Sequence, residues 1–178
     1  TFGCGVNPSA GREWRESIDI TTRPKRLLVV GGGPAGMHLA TEAAELGHQV
    51  ELWEAKPELG GRFAIAAMLR ANAPFRDWID WSAQRLTQLD VDVYLGRRAS
   101  VRAVLDSGAD VVAFATGARA RRPGIPGQNL PHVIGGDAAV LGAPLGARVL
   151  VVAIDDGPAP MTVPDHLAGL GHQVTVVF

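Results

Sequence analysis

The sequence predicts an α/β fold: three layers, with helices covering a central parallel sheet. Three observations carry that expectation. A short apolar strand at residues 27–30 runs into the glycine turn Gly31-Gly32-Gly33, and an alanine-rich helical stretch follows. A second strand at 49–53 ends in Glu54. Strands and amphipathic stretches then alternate along most of the remaining chain, the pattern of a sheet buried between helices.

The first strand-turn-helix has the form of a dinucleotide fingerprint in its required context. Gly31 allows the tight turn, Gly33 lets backbone approach a pyrophosphate, and Gly36 lets the helix pack against the strand. Pro34, Ala35 and Gly36 open the helix, whose N-terminus offers unpaired N–H groups and a partial positive charge to phosphates. Glu54 lies 18 residues after Gly36, with Ala55 beside it. A carboxylate there accepts hydrogen bonds from an adenosine ribose and repels a 2′-phosphate. The expected ligand of this Rossmann-like unit is therefore FAD, ADP or NAD rather than NADP.

The remaining elements follow in order. Residues 1–24 form a leading segment without clear periodicity, and a domain is expected over 25–146. Residues 64–89 are mostly helical in character: Phe75, Trp78, Ile79, Leu86 and Leu89 make an apolar stripe, and Pro74 suits the first turn of a second helix there. Short strands are expected at 91–95, 101–105 and 110–115. The last of these ends in Ala115, Thr116 and Gly117, where a parallel sheet presents its ligand-binding edge. Residues 118–146 are rich in loops and proline. A strand at 147–154, a helix at about 162–170 and a strand at 173–178 then open a second unit. The tetrapeptide Gly-His-Gln-Val occurs at 47–50 and again at 171–174, each time opening a strand. This second unit is expected to be truncated, because a mononucleotide-binding half needs a further crossover and strand. A self-sufficient domain whose last strand completes the first sheet is the alternative.

Composition excludes several classes. The chain has 178 residues, with 17 basic and 18 acidic side chains and a formal net charge of −1, so nothing points to nucleic acid. The longest apolar runs are only of strand length, so no membrane span is expected. The first residues lack the basic-then-apolar pattern of a signal peptide, and a cytoplasmic location is expected. The chain begins at Thr1 rather than Met, which suits a piece of a longer protein.

Few side chains invite chemistry. Cys4 is the one cysteine, so no disulfide can form within the chain. His48 and His172 occupy equivalent turns of the two repeats, which argues for a structural role, and His38 lies inside the first helix. No grouping has metal-ligand spacing. Arg119, Arg121 and Arg122 form a cluster able to meet phosphate, a partner surface or solvent. No residue stands out as a catalytic acid, base or nucleophile.

Several segments together carry a family resemblance: CGVNPSAGRE at 4–13, VVGGGPAGMHLA at 29–40, ELWEAKPELGGRF at 51–63, FATGARARRPGIPG at 114–127 and VVAIDDG at 151–157. The chain resembles the C-terminal region of the iron–sulfur flavoproteins related to Old Yellow Enzyme, such as trimethylamine dehydrogenase, histamine dehydrogenase and 2,4-dienoyl-CoA reductase. The resemblance implies a glutathione-reductase-like FAD/NAD(P)-binding fold, here holding FAD or ADP. It also implies an N-terminal TIM barrel with FMN, a 4Fe-4S cluster and a homo-oligomeric parent. Electrons would pass to an external electron-transfer flavoprotein or come from NAD(P)H. Cys4 would be the fourth cluster ligand of that parent, since a lone thiolate cannot hold a cluster. Gly61 and Arg62 resemble the family's second phosphate contact, in which the guanidinium neutralises pyrophosphate. Asp155-Asp156-Gly157 stands where relatives carry a second glycine fingerprint. Pro158 and Pro160 follow instead, which argues against a working second nucleotide site. Substrate chemistry would lie in the barrel, so the 178-residue piece is expected to be catalytically silent alone. A module in which ADP only stabilises packing against the barrel is the alternative.

Overall fold

The structure, a computed structural model, describes residues 4, 10–11, 20–120, 122–154, 157 and 159–178. The chain divides into two compact units. The first comprises residues 1–64 and 74–117, and the second comprises 65–73 and 118–178.

The first unit is built on a four-stranded sheet in the order β3-β2-β1-β4, with every pairing parallel. Its strands are β1 (Arg26–Val30), β2 (Gln49–Trp53), β3 (Asp92–Tyr94) and β4 (Val111–Phe114). The glycine-bearing strand β1 is interior: Val30 aligns with Trp53 on one side and with Phe114 on the other. Successive side chains point to opposite faces, so a strand buried on both faces must be apolar throughout, as Leu27 to Val30 are.

On one face Val29, Val50 and Leu52 pack with Met37, Ala40 and Ala43 of α1 (Pro34–Glu45) and with Ile79 and Leu86 of α3 (Pro74–Gln88). Arg85 of α3 reaches Glu45 at the end of α1 at 2.6 Å, tying the two helices together. The apolar stripe expected over 64–89 is thus real. The second helix expected to open on Pro74 is α3, and α2 (Gly61–Ala66) and a 3-10 turn (Arg70–Asn72) precede it.

The opposite face buries Leu28, Val30 and Trp53 under Ala103 and Val104. These two residues belong to α4 (Val101–Leu105), which corrects the strand expected at 101–105. Ser100 caps this helix, its side chain accepting a hydrogen bond from the Ala103 amide at 3.2 Å. Helical geometry turns adjacent Ala103 and Val104 towards the sheet and leaves Val101 and Leu105 79 % and 77 % exposed. The β-branched content misled the strand expectation, whereas the serine cap was the better signal.

The second unit holds its own two-stranded parallel sheet, β5 (Arg148–Val152) with β6 (Gln173–Val177), crossed by α6 (Ala159–Gly169); α5 (Gly136–Val140) lies against α6. Strand β6 pairs with β5 and does not complete the first sheet. Helix α6 starts earlier than expected and contains buried Pro164. Residues 118–146 group with this second unit.

The repeated Gly-His-Gln-Val corner does the same work in both units. Gly47 and Gly171 take φ of 89° and 93°, the left-handed turn that releases the chain from a helix. The Gln49 amide then bonds the Lys25 carbonyl at 3.0 Å, and the Gln173 amide bonds Ala147 at 2.8 Å. His48 Nδ1 accepts the Lys25 N–H at 3.1 Å, and His172 Nδ1 lies 2.9 Å from the Gly146 carbonyl oxygen. Each histidine staples its corner to the segment leading into the preceding strand, which is the structural role expected of the pair.

Candidate nucleotide-binding site

Three loops of the first unit meet at the C-terminal ends of its strands, the edge at which doubly wound sheets bind ligands. The loop after β1 carries Gly31, Gly32 and Gly33. The loop after β2 carries Glu54, Ala55 and Lys56. Residues 60–62 begin α2, and 115–117 follow β4.

Backbone hydrogen bonds lock these loops to one another. The Gly31 amide donates to the Trp53 carbonyl at 2.8 Å, the Ala115 amide to Val30 at 2.8 Å, and the Gly60 amide to Gly32 at 2.8 Å. The last of these brings Gly61 beside the fingerprint: a Cβ built on Gly61 would lie 3.3 Å from the Cα of Gly33.

The glycines divide into two kinds. Gly31, at φ 116°, and Gly36 are required by the protein itself. A Cβ on Gly31 would strike the Ala115 carbonyl, and one on Gly36 would strike the carbonyl oxygen of Gly31. Gly33 is different. Its φ of −79° suits any residue, and a Cβ there would meet nothing within 4 Å. The space that a side chain on Gly33 would fill is open, and it lies at the N-cap of α1. No side chain caps this helix and no acidic residue stands in its first turn. Pro34, at the first helical position, has no N–H to offer, so the turn presents the amides that follow, those of Ala35 and Gly36. The donors and the open surface together fit a pyrophosphate.

Glu54 is buried, yet its carboxylate is well satisfied. Oε2 accepts the Gly32 amide at 2.6 Å, and Oε1 accepts the Lys56 amide at 2.7 Å. A carboxylate oxygen has more than one acceptor position, so both oxygens retain capacity for ribose hydroxyls. Gly32 matters here in a way the fingerprint spacing did not reveal. A Cβ on it would come within 2.6 Å of Leu59 and 3.0 Å of the Glu54 Cβ. Gly32 and the Lys56 amide are thus parts of the site that sequence reasoning missed, the middle residue of the glycine triplet being the available signal.

The structure brings Gly31, Gly33, Pro34, Ala35, Gly36, Glu54, Ala55, Gly61, Arg62, Ala115, Thr116 and Gly117 into one unit. Thr116 and Gly117 are exposed at the sheet edge, Gly117 at φ 73° with no atom near its Cβ direction. Arg122 braces its own loop, bonding Gln128 O at 3.3 Å and Asn129 Oδ1 at 2.5 Å, while Arg119 is exposed. Arg121, Asp155, Asp156 and most of the segment around Cys4 lie outside the described residues; Cys4 itself is exposed. His38 lies 3.9 Å from Glu42 on α1. Among the described residues no group of three or more His, Cys, Asp or Glu could hold a metal ion, and no helix is long and apolar enough to cross a membrane.

Comparison with known proteins agrees with this geometry. The chain is 35 % identical over 179 residues to an NADH oxidase of Thermoanaerobacter brockii, covering 98 % of this chain and 27 % of that protein. Among solved structures it resembles 2-naphthoyl-CoA reductase in complex with 2-naphthoyl-CoA, with a TM-score of 0.91 and 28 % identity over 98 % of this chain and 26 % of that one. It also resembles 6-hydroxypseudooxynicotine amine oxidase of Pseudomonas geniculata N1, with a TM-score of 0.88 and 33 % identity over 96 % of this chain and 28 % of that one. The chain spans about a quarter of the length of these relatives. Residues 25–177 match the family of pyridine nucleotide-disulphide oxidoreductases. With its parallel sheet, glycine loop and buried terminal carboxylate, the chain belongs to that family as a Rossmann-like FAD/NAD(P)-binding domain.

Proposed function

We propose that the loops around Gly33 and Glu54 bind FAD or ADP as part of a larger flavoprotein oxidoreductase. The observation that carries this reading is the contrast among the glycines. Gly31 and Gly36 are forced by backbone contacts, whereas Gly33 keeps a surface open beside the uncapped N-terminus of α1. Pyrophosphate would lie over Gly33, Arg62 and Gly61 would approach it from the start of α2, and Thr116 and Gly117 would border the ligand. Glu54 would hold the adenosine ribose and disfavour a 2′-phosphate. The residues orient and enclose the nucleotide; bound flavin would supply the redox chemistry.

The parent protein would join this domain to a TIM barrel carrying FMN and a 4Fe-4S cluster, with Cys4 as the fourth cluster ligand. The segment 1–24 would follow the cluster region, and 147–178 would begin a second, NAD(P)-type domain. The named relatives include both a reductase and an amine oxidase, which supports either an enoate or dienoyl reductase or an amine dehydrogenase. Electrons would exchange with NAD(P)H or an external electron-transfer flavoprotein, in a cytoplasmic, homo-oligomeric enzyme. Pro160 is buried at the start of α6, where a second fingerprint would need backbone donors, which favours the amine dehydrogenase arrangement.

Extraction of the natively purified full protein, followed by chromatography, separates the alternatives. Bound FAD reduced by NADH or NADPH supports an electron-transfer role, and bound ADP supports a structural one. Recovery of neither, with no binding on titration, overturns the site.

A further inference from the structure

The segment that turns away from β3 is fastened to the backbone of Glu54 and Lys56 by three hydrogen bonds. The Glu54 amide donates to the Tyr94 carbonyl at 2.9 Å, and the Arg97 amide donates back to the Glu54 carbonyl at 2.8 Å. The Gly96 amide donates to Lys56 O at 2.8 Å, and the Lys56 amide in turn holds Oε1 of Glu54 at 2.7 Å. Gly96 takes φ of 68°, which lets the chain reverse tightly enough to make these bonds.

One side chain closes this corner. The guanidinium carbon of Arg97 sits 3.6 Å from the centre of the Trp53 ring and 4.7 Å from that of Tyr94. Trp53 immediately precedes Glu54, is fully buried, and has its indole N–H fixed on Glu51 at 3.0 Å. It is therefore a rigid platform. A planar guanidinium stacks on such a ring more favourably than an ammonium does. Arg97 is exposed, so apolar burial does not account for its placement.

We propose that Arg97 is a positioning residue for ribose recognition: stacked on Trp53, it holds the 94–97 corner that fixes the Glu54 carboxylate towards the 2′-hydroxyl of a bound adenosine nucleotide. The inference rests on the nucleotide-site reading given above. Arg97 acts through Glu54 and Lys56 rather than by contact with phosphate. Its removal should therefore weaken ribose discrimination more than it weakens pyrophosphate binding.

The test is isothermal titration of the nucleotide-stripped full protein with ADP and with 2′-deoxy-ADP, for wild type, Arg97→Ala and Arg97→Lys, alongside thermal melting. Wild type should prefer ADP. Arg97→Ala should lose about tenfold in ADP affinity, approach equal affinity for the two ligands and melt near wild type, while Arg97→Lys falls between. An Arg97→Ala protein that keeps the wild-type preference overturns the proposal, as does one that loses both affinities equally. If the alanine variant does not fold, the lysine variant decides: a reduced preference supports the proposal and an unchanged one overturns it. Wild type that binds ADP without preferring it overturns the positioning role alone. Wild type that binds neither ligand overturns the nucleotide site and the proposal with it.

Discussion

The carboxylate of Glu54 and the amide of Gly32 meet at 2.6 Å although 22 residues separate them. The bond joins the end of β2 to the glycine loop after β1, so the candidate site is formed by a contact that also ties two adjacent strands together. Glu54→Ala leaves the amide of Gly32 without its partner in a buried place and that of Lys56 without its partner in a part-buried one. Thermal unfolding should show a loss of about 1–3 kcal/mol, and ADP titration a weakened affinity. Glu54→Arg should also weaken ADP binding and relax selectivity against a 2′-phosphate; undiminished rejection of 2′-phospho-ADP would count against the ribose role.

Gly33 and Gly36 should respond in opposite ways to the same substitution. Gly36→Ala drives a methyl group into the Gly31 carbonyl, so it should unfold the protein or lower its melting temperature sharply. Gly33→Ala meets no atom of the protein, so melting should hardly change while ADP binding is lost. If Gly33→Ala binds ADP as wild type does, no phosphate lies over that position.

The pair Glu45 and Arg85 is half-buried between α1 and α3, with a further hydrogen bond from Arg85 Nε at 3.1 Å. Partial exposure limits its value through solvent screening. Glu45→Gln should cost about 0.5–1 kcal/mol in denaturant unfolding, with the loss shrinking at high salt.

Ser100→Ala removes the cap of a five-residue helix. The expected loss is about 1 kcal/mol, and amide exchange should quicken in α4 before it does in β1. Unaltered exchange across 101–105 would show that packing on Trp53 and Val30 alone maintains the helix.

Local pattern was enough for the central features. The apolar run at 27–30, the glycine spacing and Glu54 are all short-range signals, and their physical demands, tight turn, close packing and terminal carboxylate, are met within one strand-helix-strand unit apart from the Ala115 carbonyl packed against Gly31. The Gly-His-Gln-Val repeat likewise marked the same corner twice, because a helix exit and a strand entry need the same left-handed glycine in each unit. What tertiary structure decided lies at longer range. Residues 101–105 became a helix because Ser100 capped them and the sheet face offered burial to Ala103 and Val104 together. The packing need for Gly32 arose only once Leu59 and Glu54 were folded over it. The stacking of Arg97 on Trp53 joins residues 44 positions apart, and no periodicity encodes such a pair. Sequence by itself determined the glycine turns and the elements of the first strand-helix-strand unit; the meeting of distant loops at one sheet edge, which makes the candidate site, was decided by the register of parallel strands.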